Sequence, residues 1–121
     1  MTQSLEDYLE TIYLLIVNKK IARVKDISEK LSVSGASVVQ ALKELKEREL
    51  LVQEPYGYIE LTEKGLAQAK RVFKKHLILK DFLMKILGVS EKTAEEDACK
   101  IEHCLSDETL LKMKEFISKK S

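Results

Sequence analysis

The sequence predicts a mainly α-helical protein with one short β-hairpin. Two short helices separated by a tight turn are followed at once by two alternating apolar runs, which is the order of a winged helix-turn-helix. The second half shows only helical periodicity. We therefore expect a winged helix over residues 1–65 and an all-α domain over residues 66–121.

The first helix is predicted over about residues 5–17. Asp7 and Glu10 lie well away from its apolar stripe, so periodicity alone favours a solvated acidic face as readily as a site. The stripe consists of Leu5, Leu9, Ile12, Tyr13 and Ile16.

The helix-turn-helix is predicted from helices over residues 23–31 and about 36–49. Ser34 suits the start of the second helix because its hydroxyl can accept a hydrogen bond from an exposed backbone N–H. A polar face opposite the apolar one is typical of a DNA-reading helix. The apolar stripe is Val38, Ala41, Leu42 and Leu45, and the polar face is Ser37, Gln40, Lys43, Glu44 and Glu47.

The wing is predicted from two strands, residues 51–54 and 58–61, around the turn at residues 55–57. Thr62 is suited to cap a long helix over residues 66–87, which Gly88 ends. The second half of this helix is apolar on most of its circumference, so we expect a second partner, most economically a second copy of the chain.

Two further helices, over about residues 91–105 and 107–118, should begin after Ser90 and Ser106. Cys99, Glu102 and His103 stand at i, i+3 and i+4 of the first, so they should share one face. Thiolate, carboxylate and imidazole are metal ligands, and a divalent ion would need one more from another element. A structural cluster with no metal explains the same residues.

Composition and charge narrow the class of protein. With 45% hydrophobic and 34% charged residues the chain is typical of soluble proteins, and no run approaches the roughly 18 apolar residues of a membrane span. Acids stand where a secretory signal would be basic, so we expect a cytoplasmic protein. Residues 1–65 carry 9 Lys and Arg against 11 Asp and Glu, which disfavours duplex DNA unless something cancels those acids.

Five motifs in a fixed order carry a family resemblance. They are residues 4–13 (Ser-Leu-Glu-Asp-Tyr-Leu-Glu-x-Ile-Tyr), Val33-Ser34, Leu61-Thr62-x-x-Gly65, Lys75-His76 and residues 101–106 (Ile-Glu-His-x-Leu-Ser). Over essentially its whole length the chain resembles the iron- and manganese-dependent repressors, the family of the diphtheria-toxin repressor and the manganese-transport regulator.

That resemblance implies a homodimer that binds a palindromic operator in double-stranded DNA and represses metal-uptake genes. Fe(II) or Mn(II) would be the corepressor, and zinc, cobalt or nickel could substitute in vitro. Residues 1–65 would be the winged-helix DNA-binding domain, and residues 66–121 the dimerisation and metal-binding domain. Because the chain stops at Ser121, we expect no SH3-like third domain.

The resemblance also assigns residues. Asp7 together with Cys99 is a hybrid, because manganese sensors pair Asp with Glu at these two positions and iron sensors pair Met with Cys. Carboxylates favour harder ions, whereas a thiolate favours iron, cobalt or zinc. Lys80 and Glu95 depart from the iron-sensor pattern, which argues against an ancillary second site of that kind. The metal positions implied are Asp7, Glu10, His76, Cys99, Glu102 and His103.

The DNA contacts implied for the second helix combine resemblance with side-chain chemistry. Gln40 could bond adenine with both amide atoms, whereas Lys43 and Arg48 would contact phosphates. Tyr56 and Tyr58 on the wing could contact the DNA backbone or simply pack. The resemblance assigns base or phosphate contact to Ser34, Ala36, Ser37 and Gln40.

Two other functions are open at this stage. The chain could be a winged-helix regulator that responds to another ligand or to redox change, with the Cys-Glu-His face structural or redox-active. A metallohydrolase is disfavoured because the sequence has no HExxH motif, no nucleophile elbow and only four glycines for a phosphate-binding loop. We therefore expect no enzyme activity.

Overall fold

The computed structural model describes residues 1–19, 21–54 and 58–120. Over these ranges it is mainly helical with one antiparallel pair of strands, as predicted. None of the helices described there is long and apolar enough to cross a membrane. The elements are α1 (Gln3–Lys19), α2 (Val24–Leu31), α3 (Gly35–Glu47), β1 (Leu51–Gln53), β2 (Ile59–Leu61), α4 (Glu63–Asp81), a π-helical segment (Phe82–Ile86), α5 (Glu91–Ile101) and α6 (Asp107–Lys120).

Packing divides the chain into two compact units, Met1–Lys70 and Arg71–Ser121, with the boundary inside α4. The first unit has a continuous apolar core in which Leu9, Ile12 and Leu45 are fully buried. Each such side chain stabilises the fold by about 1.5–3 kcal/mol. The predicted stripes of α1 and α3 supply much of this core, so the amphipathic patterns are confirmed.

The helix cap and the hairpin that the sequence predicts in the first unit are also present. The Ser34 hydroxyl accepts a hydrogen bond from the backbone N–H of Ser37 at 3.1 Å, which confirms the predicted cap of α3. β1 and β2 pair antiparallel with Leu51 opposite Leu61, which confirms the hairpin. Its turn, with Tyr56, lies outside the described residues, and Tyr58 is exposed.

The start of α4 is fixed against the end of α3. The Thr62 hydroxyl donates to the carbonyl of Glu49 at 2.7 Å and accepts from the N–H of Gly65 at 3.0 Å, so Thr62 caps α4 as predicted. A β-carbon on Gly65 would overlap the carbonyl oxygen of Leu50. Glycine is therefore required here by close backbone approach.

The second unit has a much smaller apolar core, formed by Leu79, Ala98 and Leu110. The long helix is regular only to Asp81, and a π-helical segment completes the predicted span. Gly88 then takes a φ of 73°, and the N–H of Val89 bonds the carbonyl of Leu83 at 2.9 Å. Such a bond across a left-handed glycine closes a helix, so Gly88 ends it as predicted.

The predicted end of α5 is wrong. The helix was expected to reach residue 105, but it ends at Ile101, and the N–H of Cys104 closes a tight turn on the Ile101 carbonyl at 2.8 Å. After this turn α6 begins at Asp107, and its Leu110 packs in one apolar cluster with Ala98. The predicted caps at Ser90 and Ser106 are both confirmed.

Candidate functional site

His76 is the centre of a polar cluster in the second unit. It lies on α4 and is only 4% exposed. Its Nδ1 lies 2.9 Å from Glu102 Oε2, and its Nε2 lies 3.0 Å from Glu95 Oε2. The Cys99 sulfur is 3.7 Å from Nδ1, and Phe73 stacks on the ring at a centroid distance of 6.2 Å. One imidazole thus joins α4 to α5 and to the turn after it.

The geometry sets the protonation state of this ring in the absence of a metal. A neutral imidazole has one N–H, whereas both nitrogens of His76 face carboxylate oxygens. The hydrogen bonds to Cys99 and Glu102 raise the pKa of His76 from 6.5 to about 11, against the opposing effect of burial. The ring is therefore a cation that donates to both carboxylates at neutral pH.

Glu102 is the most deeply buried charged side chain of the described residues, at 1% exposure. Oε2 is hydrogen-bonded to His76, but Oε1 has no hydrogen-bond partner among those residues, and His103 Nε2 lies 3.4 Å from it. A buried carboxylate oxygen without a donor is costly unless a cation or a donor reaches it. Glu102 is therefore suited to hold a metal ion.

The donor set fits a divalent transition metal. One nitrogen of His76, one oxygen of Glu95 and the sulfur of Cys99 lie within 4.8 Å of one another. Glu102 Oε2 lies at Nδ1 of the same imidazole, and His103 Nε2 lies 3.4 Å from the other oxygen of Glu102. Imidazole, carboxylate and thiolate together are the ligands that such ions prefer.

The cluster does not form in the way the sequence predicted. Cys99, Glu102 and His103 were expected on one helical face, but α5 ends at Ile101, and Glu102 and His103 lie in the turn beyond it. Glu102 and Cys99 nevertheless meet at His76, because the turn brings the Glu102 carboxylate back to Nδ1. His76 therefore connects two of the predicted ligands.

The other two predicted ligands belong to the first unit. Asp7 and Glu10 are three residues apart on α1, so they project from one side of that helix. Asp7 is half-buried and Glu10 is 9% exposed. The alternative of a fully solvated acidic face is therefore wrong.

Glu95 is the member of the cluster that sequence reasoning did not assign to the site. Its position on α5, four residues before Cys99 and seven before Glu102, places it on the side of α5 that faces His76. Partial burial alone would raise the pKa of Glu95, but hydrogen bonds from His76 and Lys80 outweigh it, and the pKa lies below the usual 4.5. The i, i+4 spacing with Cys99 was the available signal.

The polar face of α3 is open, as predicted. Gln40 and Glu44 line two surface grooves, one of about 570 Å³ shared with the start of α1 and one of about 470 Å³ toward the end of α3. The Ser34 hydroxyl is engaged in capping, since it also donates to the Ser37 hydroxyl at 3.0 Å. All six predicted DNA-contacting side chains are exposed: Ser34, Ala36, Ser37, Gln40, Lys43 and Arg48.

Comparison with known families matches both halves of the chain in order. Residues 1–59 match the N-terminal DNA-binding domain of iron-dependent repressors, and residues 62–120 match their metal-binding and dimerisation domain. An HTH-type transcriptional regulator of Methanocaldococcus jannaschii is 44% identical over 120 residues, covering 98% of this chain and 96% of that protein. The HTH-type transcriptional regulator MntR of Geobacillus kaustophilus is 45% identical over 105 residues, covering 87% and 74%.

Solved structures show the same fold. T. acidophilum IdeR is 29% identical with a TM-score of 0.86 over 93% of this chain, and the manganese regulator SloR is 32% identical with a TM-score of 0.85 over 98%. The chain spans about half of each of those proteins, 53% and 55%. These matches do not favour a regulator that ignores metals. Matched in both halves and 44% identical to a relative along nearly its whole length, the chain belongs to the iron-dependent repressor family, the metal-dependent DNA-binding regulators of transcription, and is not an enzyme.

Proposed function

We propose that this regulator is a cytoplasmic homodimer that represses metal-uptake genes, with Fe(II) or Mn(II) as its corepressor. The observation that carries the proposal is the cluster around the buried His76 and Glu102, in which Glu102 has one carboxylate oxygen without a hydrogen bond among the described residues. The cluster lies in the part of the chain matched to a metal-binding domain. A manganese regulator is among the structures that share the fold.

We assign one ion to ligands from both units. The second-unit ligands gather around one imidazole, and the first-unit ligands are assigned by family resemblance and by their shared side of α1. A divalent cation bound there would neutralise carboxylates and a thiolate that otherwise need protons or cationic side chains. The proposed ligands are Asp7, Glu10, His76, Cys99, Glu102 and His103.

The mixed ligand set is the reason for naming two metals. Asp7, Glu10 and Glu102 supply carboxylate oxygens, which suit Mn(II). Cys99 supplies a sulfur, which favours Fe(II) or the ions that replace it in vitro, such as zinc, cobalt or nickel.

Without a metal, His76 and Glu102 hold each other in place. The protonated ring donates to Glu102 and to Glu95 and keeps the cluster closed. To serve as a ligand, the ring must first lose a proton, so protons and metal ions compete for the same nitrogen. We therefore expect one or more protons to leave this cluster on loading.

DNA reading is assigned to α3 within a DNA-binding domain over residues 1–65. Gln40 is exposed on the outer face and reads a base, whereas Lys43 and Arg48 contact phosphates. The Ser34 hydroxyl already accepts a hydrogen bond from the Ser37 N–H, so Ser34 contributes mainly by fixing the first turn of α3. That turn carries Ala36 and Ser37, which would contact the DNA. In a dimer the two copies of α3 would lie about 34 Å apart, one helical turn of a palindromic operator.

Dimerisation is assigned to residues 66–121, where large apolar side chains are exposed. Leu77, Leu87 and Leu111 are 48%, 61% and 54% exposed in the single chain. Exposed apolar surface of this extent is typical of a protein–protein interface.

The metal's influence on DNA binding has an electrostatic part. The acids of the first half outnumber its basic residues by two, and Asp7 and Glu10 are among them. Cancelling their charge reduces repulsion from phosphates. Allosteric coupling of this kind typically amounts to about 1–3 kcal/mol, or about 5- to 150-fold in DNA affinity.

The experiment is an operator-binding titration. An operator is selected from random duplexes with Mn(II)-loaded protein, and its affinity is then measured by mobility shift in chelator, Mn(II), anaerobic Fe(II) and Zn(II). We expect at least one of the first two metals to tighten binding by about 5- to 150-fold. Equal affinity in chelator and in every metal would overturn the proposal and favour a regulator of another ligand.

A further inference from the structure

Lys80 lies beside the His76 cluster and is not among the proposed ligands. It stands one turn after His76 on α4, and its Nζ is 3.1 Å from Glu95 Oε2 and 3.6 Å from Glu91 Oε1. The same Oε2 of Glu95 lies 3.0 Å from His76 Nε2. One carboxylate oxygen is thus shared by an imidazole and an ammonium group.

This sharing defines a second cation position next to the first. The Nδ1 of His76 faces Glu102 and Cys99, whereas its Nε2 faces Glu95. Nε2 and Glu95 could therefore hold a second divalent ion that shares the imidazole, and the Cys99 sulfur within 4.8 Å, with the first. The oxygen that such an ion would need is the one that Lys80 binds. The pKa of Lys80 is raised, chiefly by its hydrogen bond to Glu95, so the ammonium stays charged at neutral pH.

We propose that Lys80 is a built-in cation that takes the place of a second metal ion at Glu95, so that each subunit binds one divalent ion. The ammonium satisfies Glu95 and repels an incoming ion over a few ångströms. Two unit charges 4 Å apart in water repel by about 1 kcal/mol, and by more near a protein surface. Removing this charge while keeping the length of the side chain therefore opens the second position. The proposal rests on the proposed metal function of the neighbouring cluster.

The test counts ions per chain without using DNA. Mn(II) is titrated into the metal-free homodimer and free Mn(II) is counted by electron paramagnetic resonance, for the parent, Lys80→Met, Lys80→Glu and Lys85→Met. Lys85 is the matched control because it pairs with Asp81 in the same stretch of chain and not with the cluster. Circular dichroism checks that each variant is folded.

We expect one ion per chain for the parent and for Lys85→Met. Lys80→Met should bind a second ion, with an affinity about tenfold or more above that of any second ion in the parent. Lys80→Glu should bind the second ion more tightly still, because the new carboxylate adds an oxygen ligand. Adding Glu95→Gln to Lys80→Met should remove it. One ion in every variant, or two in the parent, would overturn only the proposed role of Lys80 and would leave the proposed metal function in place. No ion in the parent would instead contradict the proposed metal function.

Discussion

The apolar cluster of the first unit contains fifteen buried side chains, whereas the apolar cluster of the second contains three, counting the described residues. The second unit compensates with a polar interior, where His76 and Glu102 are almost fully buried. Apolar packing is insensitive to ions, but a buried charged cluster changes its energy whenever its charge balance changes. We therefore expect the stability of the first unit to be insensitive to metal ions and protons, and that of the second unit to respond to them.

The stability of the first unit depends most on the close backbone packing at Gly65. Gly65→Ala places a methyl group on the Leu50 carbonyl, so we expect the free energy of unfolding to fall by about 3 kcal/mol. Gly35→Ala is the control, because a β-carbon there meets only Val24 Cγ1 at 3.9 Å. Urea denaturation followed by circular dichroism measures both. Equal stability of the two variants would contradict the account of the α3–α4 junction.

Replacing Glu102 should remove the response of the protein to metal. We expect Glu102→Ala to abolish the metal-induced gain in operator affinity, about 5- to 150-fold, and to keep the same weak affinity as the metal-free parent. Glu96→Ala, at an exposed position of α5, should respond normally. The measurement is operator mobility shift with and without Mn(II). A full metal response in Glu102→Ala would mean that the ligands are assigned to the wrong residues.

The stability of the metal-free protein should depend on pH through the second unit. Because the pKa of His76 is raised from 6.5 to about 11, the stabilisation from its ion pairs is complete below pH 6.5 and is lost as the pH rises through about 11. We therefore expect stability to fall across that window, with a slope of at most about 1.4 kcal/mol per pH unit for one proton. Denaturation in chelator measures it, and His76→Gln should flatten the curve. Identical curves would contradict the imidazolium.

The smallest effects are expected on the outer face of α3. Gln40→Ala should cost about 1 kcal/mol on the selected operator and relax its preference at one base pair. Lys43→Ala should weaken operator and unrelated DNA alike and reduce the salt dependence by about one ion. Fluorescence anisotropy on both duplexes at several salt concentrations separates the two. Equal loss of specificity in both variants would contradict the division between base and phosphate contacts.

The first unit was largely predictable from sequence because its signals are local. The stripe of α3, the cap at Ser34 and the glycine at Gly65 each act within a few residues or at one packing contact. Residue 20 and the hairpin turn at residues 55–57 lie outside the described residues. Element ends shifted by one to three residues, as expected where helices fray.

The second unit was less predictable because its interactions are between distant residues. The helix pattern through Glu102 and His103 continues past Ile101, but the helix ends there, where Leu110 packs against α5 and Glu102 accepts a hydrogen bond from His76. The role of Glu95 depends on a partner 19 residues earlier in the chain. Periodicity cannot reveal such pairs, although it did place Cys99 and Glu102 at spacings that reach one imidazole.

The most direct test of the central claim is anomalous diffraction from crystals of the protein grown with Mn(II). We predict an anomalous peak bonded to His76 and Glu102, with Asp7 and Glu10 also coordinating and the hydrogen bond between His76 and Glu102 broken. A peak elsewhere, or metal-saturated crystals in which that hydrogen bond persists and no ion touches Glu102, would contradict it.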